Sequence, residues 1–164
     1  MSDPRNRELA ILLGWTMRTI KARENPCTGR WYPMVYFAAP PAFLPAELRR
    51  YDDEGEEVLC YRETEDQAWQ ASPDFLTDPR AALWAWDWMM TGAHEWKADD
   101  CHVRLTGGIW DAWICVMLPN GTRLLNYANH YGRMGDDLRS DPNTELSARV
   151  DVMLAVLRAM REGK

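Results

Sequence analysis

Serine and histidine are scarce in this 164-residue sequence, and the scarcity removes several chemistries at once. The four serines include none in a G-x-S-x-G turn, so there is no nucleophile elbow. The four cysteines, Cys27, Cys60, Cys101 and Cys115, never fall at C-x-x-C spacing, which excludes a zinc ribbon and a thioredoxin-type pair. Neither G-x-x-x-x-G-K-S/T nor G-x-G-x-x-G occurs, so no glycine-rich loop cradles a phosphate. No stretch approaches the roughly 18 apolar residues of a membrane span. The N-terminus offers only Leu9 to Leu13, short of a secretion signal. These absences predict reduced thiols and a cytoplasmic protein.

Basic charge is also in deficit. Nineteen Lys and Arg face 25 Asp and Glu, giving a formal net charge of −6 and a pI near 5.1. That argues against direct nucleic-acid binding, whose footprint is a basic patch, although a small basic groove fits within an acidic whole. What is present is an ordinary globular composition, 46% apolar and 27% charged, with nine Trp and nine Met in surplus. Tryptophan brings large apolar area and one N–H donor, which suits a core or an adhesive surface. The length fits one domain, 1–164, able to bury about two-thirds of its unfolded surface.

Helix signals are clearest at the ends and the middle. Asp3 caps and Pro4 opens a first helix, whose Leu9, Leu12 and Leu13 share a stripe and which Gly14 stops. The segment 16–30 reads as a basic loop with turns at Asn25-Pro26 and Thr28-Gly29. Trp31 to Phe37 has strand composition, split by Pro33. An acidic loop insertion is expected near 46–72, with a short strand from Val58 to Tyr61.

Asp78-Pro79 opens a second helix that ends at Thr91-Gly92. Ala82, Leu83, Trp86, Met89 and Met90 are expected on its core face, with Trp84 and Trp88 nearly opposite. His102 to Leu105 and Ile109 to Leu118 read as strands around a Gly107-Gly108 turn. The longer one is apolar on both faces, with Trp110 on one and Trp113 on the other, and so reads as central. Asn120-Gly121 predicts a two-residue hairpin turn to a partner strand, Arg123 to Ala128. A polar loop near 132–143 precedes a last helix, with Leu146, Val150, Met153, Leu154, Leu157 and Met160 on one face. The predicted fold class is α+β: an antiparallel sheet with a central β-hairpin, covered by about three helices in a layered sandwich.

The layout resembles a known family. Arg7-Glu8-Leu9-Ala10 through Gly14-Trp15, then Trp31, then Pro73, Phe75, Thr77, Asp78, Pro79, Ala81 and Ala82 at a helix start are similar to the phage ABA-sandwich domain family. These are small α+β proteins encoded by bacteriophages and prophages, and the resemblance spans roughly residues 5–160. It implies a layered fold and a phage setting, but no established activity and no catalytic residues. The acidic insertion and the 132–143 loop are larger than the family's, so a role housed there does not follow from it.

The chemistry-bearing residues are sparse. His94, Cys101 and His102 are the nearest approach to a metal cluster, but Cys101 and His102 would point to opposite faces of a strand. Cys115 and His130 could meet across the hairpin, yet Cys115 lies in an apolar strand, where a thiol acts as a small core residue. No catalytic, cofactor or metal residue is therefore assigned. The acidic block from Asp52 reads either as a solvated loop or as a surface that steers towards a basic partner.

The expectation is a non-enzymatic binding protein that occupies a host protein, such as a basic nucleic-acid-binding component of a defence system (an anti-CRISPR-like inhibitor). Its contact residues would be Asp52, Asp53, Glu54, Glu56, Glu57, Trp84 and Trp88. One alternative is a small-ligand binder that sequesters a nucleotide, with Trp and Tyr stacking the base and Arg18, Lys21, Arg23 and Arg30 holding phosphates. The other is a virion component or self-assembling homo-oligomer.

Overall fold

A computed structural model of the chain describes residues 3–42, 44, 48, 49, 53, 60–91, 97–128 and 144–162. Within the span 1–164 they gather into two compact units, Met1–Pro73 and Asp74–Lys164, taken separately below. The fold is α+β, with four helices and small antiparallel sheets among the described residues.

The first unit begins with α1 (Pro4–Leu12). The Asp3 carboxylate accepts from the Arg5 N–H at 2.9 Å and from the Arg5 guanidinium at 2.7 Å. The guanidinium hydrogen bond holds the Asp3 carboxyl below its usual range. Gly14, at φ 95°, turns the chain out of the helix, and Leu9, Leu13 and Trp15 are buried.

The segment expected as a loop at 16–30 is instead the outgoing arm of a hairpin. Strands β1 (Thr16–Ile20) and β2 (Arg23–Glu24) pair antiparallel with β4 (Val35–Ala39) and β3 (Trp31–Tyr32). In β1 every residue but Met17 is exposed, so there is no apolar alternation to read; the pairing comes from the backbone ladder. At the tip, Gly29 (φ 64°) and an Asn25 side chain that accepts from the Cys27 N–H form the expected turn.

The far end of the predicted acidic loop also departs from expectation. Glu65–Gln70 is a helix, α2, capped by Thr64, whose hydroxyl accepts from the Gln67 N–H at 3.3 Å. Arg7 of α1 holds it through Glu65 (2.8 Å) and Asp66 (3.1 Å), with its guanidinium over the Trp69 ring at 5.4 Å.

The second unit opens with α3 (Pro79–Thr91). Asp78 repeats the Asp3 device in an identical Asp-Pro-Arg sequence, accepting from the Arg80 N–H at 3.0 Å. Burial pushes the Asp78 carboxyl up, but the Arg80 hydrogen bonds outweigh it and hold the group below its usual value. The buried face of α3 is Ala81, Ala82, Ala85, Trp86 and Met89. Leu83, expected among them, is 45% exposed, because it lies about 100° round from Ala82, away from Ala81.

Strand β6 (Ile109–Met117) is central, between β5 (Lys97–Thr106) and β7 (Arg123–Ala128), as its apolar faces implied. Gly107 (φ 58°) and Gly108 (φ 79°) make the tight β5–β6 turn. The β6–β7 turn has three residues rather than two. The Leu118 N–H donates to the Thr122 carbonyl at 2.9 Å around Pro119-Asn120-Gly121. Proline suits the second position of the turn, and the last residue, Gly121, takes a φ of 81° that favours glycine.

Helix α4 (Glu145–Glu162) packs on all three strands and on α3. Its buried face is broader than the expected stripe, since Ser147, Ala148, Val152 and Val156 are also fully buried. Arg149 bonds Glu145 at 2.7 Å and lies over the Trp86 ring at 4.7 Å, joining α4 to α3.

Candidate ligand-binding site

Among the described residues, exposed large apolar side chains gather on and beside the hairpin of the first unit. Ile20, Trp31, Tyr32, Met34 and Tyr61 are large apolar side chains, each more than a third exposed and the Trp31 side chain 64% exposed. Their arrangement follows from a break in the hairpin. The register carries through from Ile20 opposite Val35 to Arg23 opposite Tyr32, but no pairing is made at Lys21–Ala22 or Pro33–Met34.

The ladder changes phase across that break. The Tyr36 backbone bonds Arg62 on the outer edge, N–H to carbonyl both ways at 2.8 Å, so Ile20 and Val35 turn their backbone groups towards each other. At the tip, the Asn25 N–H donates to the Arg30 carbonyl, which makes Arg23 and Tyr32 the inward-bonded pair there. Residues that turn their backbone to the same partner carry their side chains on the same face. Ile20, Val35, Arg23 and Tyr32 therefore share a face that regular alternation would have divided.

The result is a concavity of 290 Å³ lined by Ile20, Lys21, Arg23, Tyr32, Val35 and Tyr61, together with Pro33. Tyr61 is fixed by its neighbours: the Tyr36–Arg62 bridge places its backbone, and Phe37 meets its ring edge-on at 5.2 Å. Across Tyr61 and Val35 lies a second concavity of 560 Å³, lined by Arg62, Glu63, Gln67 and Gln70 among others. The smaller hollow is walled by aliphatic and aromatic carbon and contains no carboxylate, histidine or cysteine. Lys21 and Arg23 are exposed, and neither side chain forms an ion pair with a described residue. Arg30 adds a third cation near the rim, 6.0 Å from the Tyr32 ring centre.

The residues expected to form a partner face lie only partly among the described ones. Asp53 is exposed, while Asp52, Glu54, Glu56 and Glu57 lie outside the described residues. Trp84 and Trp88 are half-buried on α3, and both are engaged with neighbours.

In the second unit, His102, Arg104 and Asp111 cluster across β5 and β6. The Asp111 carboxylate, 8% exposed, accepts from Arg104 Nε at 3.1 Å and lies 3.6 Å from His102 Nε2, while the His102 ring meets Trp113 edge-on. Cys101 falls on the opposite face, opposite Ile114, and burial, then the Asp100 charge, push its thiol up despite Arg149. No group of three metal-ligating side chains occurs among the described residues; His94 and His130 lie outside them.

Sequence reading had the basic residues of this site but placed them in a loop, and it missed Tyr61. The signal for Tyr61 was the Thr64-x-x-Gln67 capping box, which starts α2 and so ends the loop before it. No helix among the described residues is long and apolar enough to cross a membrane. No family model, curated protein or solved structure matches this chain.

Proposed function

We propose that this chain is a non-enzymatic binding protein that sequesters a small anionic ligand in the bend of its hairpin. One observation carries the reading: Lys21 and Arg23, without ion-pair partners among the described residues, stand at the rim of an apolar hollow walled by Tyr32 and Tyr61. Exposed aromatic surface is costly in water, and cations over an apolar floor suit a flat ligand with an anionic end. The net charge of −6 opposes a long polyanion more than a small one, which meets only the local field. On the sequence's resemblance to the phage ABA-sandwich family, the proposed setting is a bacterial cell infected by phage, where a sequestering protein would lower the free level of its ligand.

A thermal-shift panel of small anions, with and without aromatic rings, tests this. An aromatic anion should raise the melting midpoint of the wild type, and Lys21→Glu with Arg23→Glu should abolish the rise, because a ligand that binds only the folded state stabilises it. Absence of any rise at about millimolar ligand, roughly the weakest binding worth a name, would overturn the reading.

Occupation of a host protein remains the second reading. The observation that favours it is Trp31, which pairs with Glu24 and projects from the hairpin as an anchor residue would. Affinity capture from host cells, compared with Trp31→Ser, separates the two: a protein lost with Trp31 and retained in Lys21→Glu belongs to this reading.

A further inference from the structure

Resting on the small-anion reading, we infer that the ligand is a nucleoside 5′-phosphate, with its base in the 290 Å³ hollow and its phosphate on Lys21 and Arg23. The hollow is at the lower edge of ligand-pocket sizes, about 300 Å³ upwards, which fits one planar heterocycle with its sugar rather than a larger ligand. Both tyrosines line it, and stacking on aromatic rings holds any base. Lys21, in the break, and Arg23, opposite Tyr32, both line the hollow, so a dianionic phosphate there has two cations to meet while the base lies on its apolar wall.

Beyond Tyr61 the larger hollow offers the side-chain amides of Gln67 and Gln70 and the Glu63 carboxylate, which can hydrogen-bond whatever part of the ligand extends past that ring. An aliphatic carboxylate or sulfonate would leave the tyrosine-walled hollow unfilled. A bare phosphate would leave the tyrosines in water.

Calorimetric titration of the full chain with AMP, GMP, CMP and UMP tests the assignment, with adenosine, inorganic phosphate and anilinonaphthalene sulfonate as controls. At least one nucleotide should bind with a dissociation constant below about a millimolar. Adenosine and phosphate alone should each bind about tenfold more weakly or worse, since each lacks half of the contacts. Tyr61→Ala should weaken the nucleotide roughly ten- to hundredfold, and Tyr61→Phe should restore it. Lys21→Glu, at an exposed position with no ion pair to a described residue, decides the matter if Tyr61→Ala does not fold; it should weaken binding about tenfold.

If the sulfonate binds and responds to these variants while no nucleotide does, the nucleotide assignment is wrong and the small-anion reading stands. If neither binds, both fall. Nucleotide binding that is indifferent to Lys21 and Tyr61 would also overturn the assignment.

Discussion

Replacing Arg104 with Met should cost more stability than replacing Asp111 with Asn, although Asp111 is the buried member of the pair. The Asp111 side chain is 8% exposed, its Oδ1 has no hydrogen-bond partner among the described residues, and its Oδ2 takes the Arg104 Nε at 3.1 Å. Removing the guanidinium leaves a buried carboxylate whose remaining close neighbour of the two is the His102 imidazole, 3.6 Å away. Breaking a fully buried pair from one side costs about 3–5 kcal/mol. Arg104 is 57% exposed, so water screens part of this, and about 2 kcal/mol is the expected loss.

Asp111→Asn instead removes the buried charge, and the exposed Arg104 is left to solvent, so the loss should stay below about 1 kcal/mol. For a chain of this size each kcal/mol moves the melting point by about 2–4 °C, which separates the variants by several degrees. Urea unfolding followed by far-ultraviolet circular dichroism, with midpoints compared at constant slope, is the assay. Equal losses, or a larger loss for Asp111→Asn, would refute the claim that burial of the carboxylate governs this cluster.

The two Asp-Pro-Arg caps should act alike, so Asp3→Ala and Asp78→Ala should each cost about 1 kcal/mol at neutral pH in chemical denaturation. Both carboxyls sit below their ordinary 3.8 in the folded chain, so the unfolded chain takes up protons first on acidification. The caps' contribution is therefore complete above that value and lost as pH falls through the folded one, and the gap between wild type and variants should close in acid. Arg7→Ala should cost about 1 kcal/mol, since its ion pairs to Glu65 and Asp66 are exposed, and the loss should shrink in salt. Iodoacetamide labelling read by mass spectrometry should modify exposed Cys27 first and Cys101 later, because burial, with Asp100, keeps the Cys101 thiol protonated; raising the pH should speed Cys101.

The legible parts of the chain were those where a local signal and a buried face coincide. Asp3-Pro4 and Asp78-Pro79 mark helix starts because capping is local chemistry, and β6 reads as central because both of its faces are apolar. Leu83 went to the wrong face because neighbouring positions at the edge of a helix stripe are separated only by what packs there.

The candidate site was half legible. Arg18, Lys21, Arg23 and Arg30 stood out as a basic run, but an exposed strand has no apolar period, so β1 was invisible. The change of ladder phase at Lys21–Ala22 shows only in which backbone groups pair, Asn25 with Arg30 at the tip and Tyr36 with Arg62 on the outer edge, and no side-chain pattern encodes it. That change puts Arg23 and Tyr32 beside Ile20 and Val35, and with it creates the hollow.

The measurement that bears most directly on this hollow is a two-dimensional amide NMR titration of the full chain with AMP. Binding in the bend predicts shifts that saturate together at Ile20 to Arg23, Tyr32 to Val35 and Tyr61 to Gln70, the backbone around the two concavities. Shifts confined to other segments, or none at saturating nucleotide, would contradict it.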